Sequence, residues 1–359
     1  MRNKMNLIGA CLFAVILFTT TACNKAPETA TTSTDFVTLE KQVLTDFTYN
    51  VAMSNYLKLS VSATNLNMAL QNLNNNTTDS NLIVARTAWQ MLRETWEQSE
   101  GFLFGPVEDN DYDPNMDTWP TDYVQLDSLL GSNNSLLASD IQHITLSLRG
   151  FHPIEYIIFG NHGNKKASDI NAREKQYMVS LSEDITNTCN ALYLSWSSAP
   201  INFAQEVINA GNGSAKYSTK LEVYTALVNA LIDIAGEVAE SKMLEPYETK
   251  NLQLVESPYS GNSLTDFRNN IIGLQNVYLG VNGGKGLKDL VASKNKALDN
   301  KIQNQIIASI NSFSNITGYY EDAILTQRIQ IQQTMQALTT LKATLEGDLL
   351  PFIVQNVKD

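Results

Sequence analysis

An all-α fold of two domains, each built on a four-helix bundle, is what this sequence predicts, and three observations carry the prediction. Almost every long segment repeats its apolar residues at helical rather than alternating spacing. No pair of short β-rich runs flanks the turn residues that would mark a hairpin. One stretch, "SAPINFAQEVINAGNGSAKYS", breaks the helical pattern with Pro200, Gly211 and Gly213 and leaves three or four long helices on either side. At 359 residues the chain also exceeds what one core usually holds. Two similar halves suggest an internal duplication, although no repeat of fixed period is visible in the sequence.

The N-terminus is a separate matter. Arg2 and Lys4 precede the apolar run "LIGACLFAVILF" and the small-residue stretch "TTTACN", the pattern of a secretory signal over residues 1–22. That run is too short to span a bilayer, which takes roughly 20 apolar residues. Cys23 follows Ala22 as in a bacterial lipobox, with Thr20 where that motif usually has leucine, so cleavage is expected to leave a lipidated Cys23. Residues 23–34, with "NKAPETATTST", read as a flexible tether that can bury nothing. The expected location is the bacterial cell envelope, lipid-anchored. Asn24 gives no reason for inner-membrane retention, and the outer membrane is the expected destination.

Charge narrows the partners. The chain carries 25 Lys and Arg against 37 Asp and Glu, a formal net charge of −12, and loss of Arg2 and Lys4 with the signal makes it more acidic. Such a surface disfavours nucleic acid and anionic lipid and attracts cations, so the membrane is touched through the lipid anchor only. With Cys11 removed and Cys23 lipidated, Cys189 has no partner for a disulfide and reads as a small buried residue.

Residues 35–200 are expected to form the N-terminal bundle. Leu39, Val43, Phe47, Val51, Tyr56, Leu59 and Leu66 keep helical spacing up to the polar break "NNNTTDS". A second helix starts at Asp79 or Ser80 as N-cap and ends near Gly101, and a third covers about 167–196. Residues 214–359 form the C-terminal bundle, with helices over about 218–244, "SLTDFRNNIIGLQNVYLG", "NKALDNKIQNQIIASINSF" and about 320–346.

Several familiar chemistries are excluded. There is no H-E-x-x-H, no paired C-x-x-C and no G-x-S-x-G, and "VNGGKG" lacks the rest of a P-loop. The run with Asp109, Asp111 and Asp113 fails as an EF-hand, because Pro114 and Pro120 occupy the glycine and glutamate positions. It reads as a solvated loop. Three constellations remain. His152 and Glu155 in "RGFHPIEYIIFG" are three apart, so they share a helix face, with Pro153 in the first turn. The spacing fits a metal contact or a plain His–Glu hydrogen bond or cap. Trp89, Arg93, Trp96 and Glu100 form one helical stripe that mixes aromatic with charged residues, and buried charges need partners. Ser257, Tyr259, Ser260 and Asp266 cluster in "VESPYSGNSLTDFRNN", where Ser263 and Asp266 have the spacing of a capping box.

These segments together resemble the imelysin-like proteins, a bacterial envelope family. "GFHPIE" reproduces its G-x-H-x-x-E motif, and "ARTAWQMLRETWEQSEGFLFGPV", "DTWPTDY" and "VESPYSGNSLTDFRNNIIGLQNVYLG" are similar to its other characteristic segments, in the same order. The resemblance implies two helical bundle domains with the motif residues facing the domain interface. It implies that His152 and Glu155 contact metal, and that Trp89, Arg93, Glu100, Asp117, Trp119, Ser257, Ser260 and Asp266 line the shared pocket. The family includes insulin-cleaving outer-membrane metalloproteins and iron-regulated proteins.

A zinc peptidase needs about three protein ligands, an open position and a base. The sequence offers one His and one Glu in the motif, with His143 and His162 outside it. One imidazole among oxygens suits iron better than catalytic zinc, with zinc or calcium as alternatives. The expected function is therefore binding of iron or an iron chelate, delivered to an envelope iron-uptake system. A metallopeptidase using His152 and Glu155 is the alternative, and whether any enzyme activity exists stays open. An ordinary imidazole would make metal binding fade below about pH 6.

Overall fold

The helical spacing read from the chain is met throughout the computed structural model, which describes residues 33–358; the signal peptide 1–22 and Cys23 lie outside the described residues, as does most of the tether. Among the described residues there is no strand, and the fold is all-α. No helix is long and apolar enough to cross a membrane.

The first long segment is one continuous rod. Helix α1 (Ser33–Asp46) passes through a π-helical turn, Phe47–Met53, into α2 (Ser54–Asn75). Helix α3 (Asp79–Ser99) is capped by Thr78, whose hydroxyl accepts from the Asn81 N–H at 3.2 Å, so the cap falls one residue before the expected Asp79 or Ser80. Several short helices follow, of which α4 (Tyr112–Asp117) and α5 (Phe151–Phe159) reach the site. The long α6 (Ala172–Ser197) starts at Asn171, which accepts from the N–H groups of Arg173 and Glu174. Helix α2 packs against both α3 and α6, while α5 touches α3 and α6. Trp89, Trp96 and Trp196 are wholly buried here, and truncating any of them to alanine would cost about 3–5 kcal/mol.

Beyond the break, α7 (Lys220–Glu237) runs into a second π-helical turn, Val238–Lys242. Helix α8 (Ser263–Leu279) is followed by α9 (Leu287–Lys294), α10 (Lys296–Ser312) and α11 (Arg328–Thr344). The expected helix over 320–346 is interrupted at Gln327, which separates Tyr320–Thr326 from α11. Helix α11 packs on α7 and α10, and α8 touches α7, α9 and α10. The interrupted stretch 198–218 contains a short helix, Phe203–Ile208, with Phe203 edge-on to Trp196 at 4.7 Å.

What positions the site is the crossing of α3 with α8. A Cβ on Gly101 would lie 2.6 Å from the Gly273 carbonyl carbon, and one on Gly273 only 2.3 Å from the Gln98 carbonyl oxygen. Two missing side chains let backbone meet backbone. The buried apolar residues form one contiguous cluster that runs through both halves of the chain.

Candidate functional site

Against that crossing, α3 turns its mixed stripe inward. Arg93 is wholly buried and faces four carboxylates. It contacts Asp117 and Glu97 directly, meets Glu256 at 3.0 Å and has Asp266 at 3.8 Å. Lys242 ends the π-helical turn after α7, which redirects its side chain into the cluster. Its ammonium lies 3.2 Å from Glu100 and 3.3 Å from Glu256. From α8, the Asn270 amide donates to Glu97 and Glu100, each at 2.6 Å. Carboxylates still outnumber cations in this buried space, so the balance needs protons or another cation.

His152 enters from the start of α5. Gly150 precedes it at φ +80°, and a Cβ there would lie 1.9 Å from the Met116 carbonyl oxygen. Only glycine lets the end of α4 sit against the start of α5, and this brings Asp117 beside His152. The imidazole Nε2 is 3.0 Å from Asp117 Oδ1, and Nδ1 is 3.5 Å from Glu155 Oε2. Neither contact is aligned for hydrogen bonding, so the buried ring is held by the two neighbouring charges and by no directed bond. Glu155 is bound elsewhere. Its Oε1 accepts from the Tyr259 N–H at 3.1 Å, the Ser260 N–H at 2.8 Å and the Ser260 hydroxyl at 2.7 Å. Its Oε2 is left free. The His152–Glu155 pair is therefore neither a helix cap nor a closed hydrogen bond.

Electrostatics sets the protons. Burial alone would lower His152, but Asp117 and Glu155 outweigh it and raise the imidazole to about 9. Burial acts to raise Asp117, yet Arg93 and His152 hold it well below the usual carboxylate range. Asp266 goes the other way. Its burial exceeds the pull of Arg93, and Glu97 adds repulsion, so it rises to about 8. Glu100 is likewise raised, by burial and by Glu97.

The other expected pocket residues fall into distinct places. Trp89 lies away from the carboxylates and donates from Nε1 to the Phe151 carbonyl at 3.0 Å, steadying the start of α5. Trp96 Nε1 donates to Asp117 at 2.5 Å, and Trp119 Nε1 to the Val255 carbonyl at 3.0 Å. The capping box expected from Ser263 to Asp266 does not form. Asn262 is the N-cap without a side-chain cap bond, and Ser263 Oγ accepts from the Ser257 N–H instead. Asp266 accepts from the Ser257 hydroxyl and the Asn262 amide, each at 2.6 Å, and lies 3.8 Å from Arg93. The run at 109–113, expected to be a solvated loop, instead passes into α4 at Tyr112, and Asp113 is pushed to about 7 by burial and by Asp117.

Glu97, Lys242, Glu256 and Asn270 were not singled out from the sequence. Glu97 had a readable signal, four residues beyond Arg93 on the same helix. Glu256 adjoins Ser257 in a segment already marked. Lys242 had none, because the π-helical turn that aims it inward breaks the ordinary helical register.

Two ligand sets converge on this space. Asp117, His152 and Glu256 each offer one donor atom, all within 4.8 Å of one another, and so do Glu97, Glu100 and Asp117. The first set, one imidazole with carboxylate oxygens, fits a transition metal such as iron. Glu155 stands outside that set, with Oε2 facing the ring.

A sequence model of the Imelysin family (peptidase M75) matches residues 52–346. The chain belongs to the imelysin family. It is 28% identical over 323 residues to iron-regulated protein A of Synechococcus elongatus, covering 88% of this chain and 87% of that one. Among imelysin-like solved structures, one assigned as an iron-regulated protein A precursor from Parabacteroides distasonis superposes with a TM-score of 0.79 at 23% identity, covering 89% of this chain and 95% of the other. An imelysin-like protein from Psychrobacter arcticum gives 0.72 at 14% identity, covering 88% and 96%. At these identities the two structures speak for the shared fold alone.

Proposed function

We propose that this imelysin-family protein binds iron, free or as a complex, at the buried site between its two helical halves and serves iron uptake at the cell envelope. One observation carries the reading: the imidazole of His152 is buried, makes no aligned hydrogen bond and is flanked by Asp117 and Glu256 at ligand spacing. Iron is cargo here. His152, Asp117 and Glu256 would hold it, with Glu155 Oε2 as a further oxygen, while Arg93 and Lys242 keep the surrounding carboxylates from repelling one another. The iron-regulated name of the Synechococcus elongatus relative supports the choice of metal. Lipidation at Cys23 and outer-membrane attachment belong to the same proposal. A Cys23→Ser chain that stays in the membrane fraction would remove them.

The second reading, a metallopeptidase, is kept alive by the same set, since His152, Asp117 and Glu256 reach the three protein ligands that a catalytic zinc needs. Against it, His152 and Arg93 are wholly buried, and a polypeptide substrate has no way to reach them in this conformation. Calorimetric titration of chelator-stripped protein with ferrous and ferric iron tests the first reading. His152→Ala and Glu155→Ala should each weaken binding at least about tenfold, roughly 1.4 kcal/mol, with thermal melts showing both variants folded. Equal iron affinity in wild type and variants would sink it.

A further inference from the structure

A separate pocket of about 350 Å³ opens beside the loop that holds Glu155, sharing Tyr259 with it. Tyr123, His162, Glu321 and Asp322 complete the part that matters, and no lysine or arginine lines it. Glu321 is the unusual member. It is 4% exposed, and neither carboxylate oxygen has a hydrogen-bond partner. Burial, with the charges of Glu155 and Asp322 adding to it, raises the group to about 7. A buried carboxylate that no other residue pairs is costly, and it is relieved by a proton or by a cation that enters the pocket from outside the chain.

The walls say what kind of charge. Tyr123 and Tyr259 meet edge to face with ring centroids 5.0 Å apart, and His162 stacks on Tyr319 at 4.0 Å. Aromatic rings beside carboxylates attract organic cations, whose charge is spread and whose carbon stem gains from the apolar surface. Among the described residues, the acidic and imidazole groups that converge tightly enough for a bare metal ion are the two sets around Asp117, and Glu321 belongs to neither. The volume is at the lower end for small-molecule sites.

We propose that this pocket binds a small organic cation, an alkylammonium or alkylguanidinium, with its head drawn to Glu321 and Asp322 and its stem against Tyr123 and Tyr259. Agmatine carries both kinds of head and serves as the probe. Calorimetry on the folded chain should show saturable binding with a Kd below about 1 mM. Glu321→Gln should weaken it about tenfold or more while melting no lower than wild type, since the change removes an unpaired buried charge. Tyr123→Leu should weaken it about threefold through loss of an aromatic face. Binding should persist in His152→Ala, which separates this pocket from the iron site. No saturable heat up to about 10 mM agmatine would overturn the assignment, as would unchanged affinity in Glu321→Gln. Equal affinity for magnesium chloride would also overturn it, by making the pocket an inorganic-cation site.

Discussion

Arg149 and Arg93 are both buried, and they keep different company. Arg149 meets Asp184 at 2.9 Å, charge for charge. Arg93 is shared among Glu97, Asp117, Glu256 and Asp266. A matched pair in a low-dielectric interior is a structural part that apolar residues of similar volume could replace. An acid-rich cluster cannot be neutral on its own terms, so it responds to whatever cation or proton reaches it. The contrast separates a brace from a site within one chain.

Breaking the contrast should give the largest effect. Arg93→Met strands four carboxylates and should lower stability by about 3–5 kcal/mol in urea unfolding at pH 7.5, with the loss shrinking at pH 5 as the carboxylates take up protons. Arg149→Met should also destabilise, but the double change with Asp184→Leu should recover most of that loss. No single carboxylate replacement should rescue Arg93→Met to the same degree. If one does, the two arginines are alike.

The next effect is a pH slope. The folded-state pKa of His152, about 9, lies above the ordinary 6.5, so the folded state holds the proton more tightly. Its contribution is fully present below pH 6.5 and is lost as the pH rises through 9, on the order of 3 kcal/mol in chelator-treated protein. His152→Gln should flatten that slope in denaturation curves taken across the window. The same proton competes with iron, so affinity should fall by about tenfold for each pH unit below about 9. An unperturbed imidazole would have put that onset near pH 6; the carboxylates around His152 move it upward. Calorimetry at pH 6.5 and 7.5 reads the difference, and equal affinities would detach His152 from the metal.

The smallest effect sharpens the view of how the two halves meet. Ser260→Ala removes one of the donors to Glu155 Oε1 and leaves the two backbone N–H groups in place. About 1 kcal/mol of stability should go, with iron affinity moving little. A loss as large as that of Glu155→Ala would make the hydroxyl, and not the backbone, the anchor.

Much of this was legible in the residues. The all-α class followed from apolar spacing in segments such as Val43, Phe47 and Val51, which needs no tertiary information. The start of α5 at Gly150–Pro153 was legible too, since proline and glycine act through local backbone geometry. Partner choice was not. Ser263 and Asp266 have ideal cap spacing, yet Asp266 accepts from Ser257 and Asn262 and lies 3.8 Å from Arg93, a residue from another helix that no local rule contains. Lys242 was hidden by a π-helical turn, where one extra residue rotates everything after it out of the 3.6-residue register. Glu155 was read with His152 because they are close in sequence. Its actual donors, Tyr259 and Ser260, lie more than a hundred residues away.

The bare contact at Gly101 and Gly273 has a reach well beyond its own atoms. Two helices that mesh tooth to tooth at the main chain transmit any wedge placed between them as a rigid displacement. A single methyl at Gly101 would strike peptide groups, which cannot rotate aside as a side chain can, so α8 would have to back away from the end of α3. Glu100, one residue before that tooth, and Asn270, three before Gly273, would part with it, and the amide that now spans Glu97 and Glu100 would lose its grip. A Gly101→Ala chain should therefore lose iron affinity along with about 1–3 kcal/mol of stability, although the added atom touches no ligand. The spacing of the binding groups is set, like the gap in a pair of tongs, at the pivot.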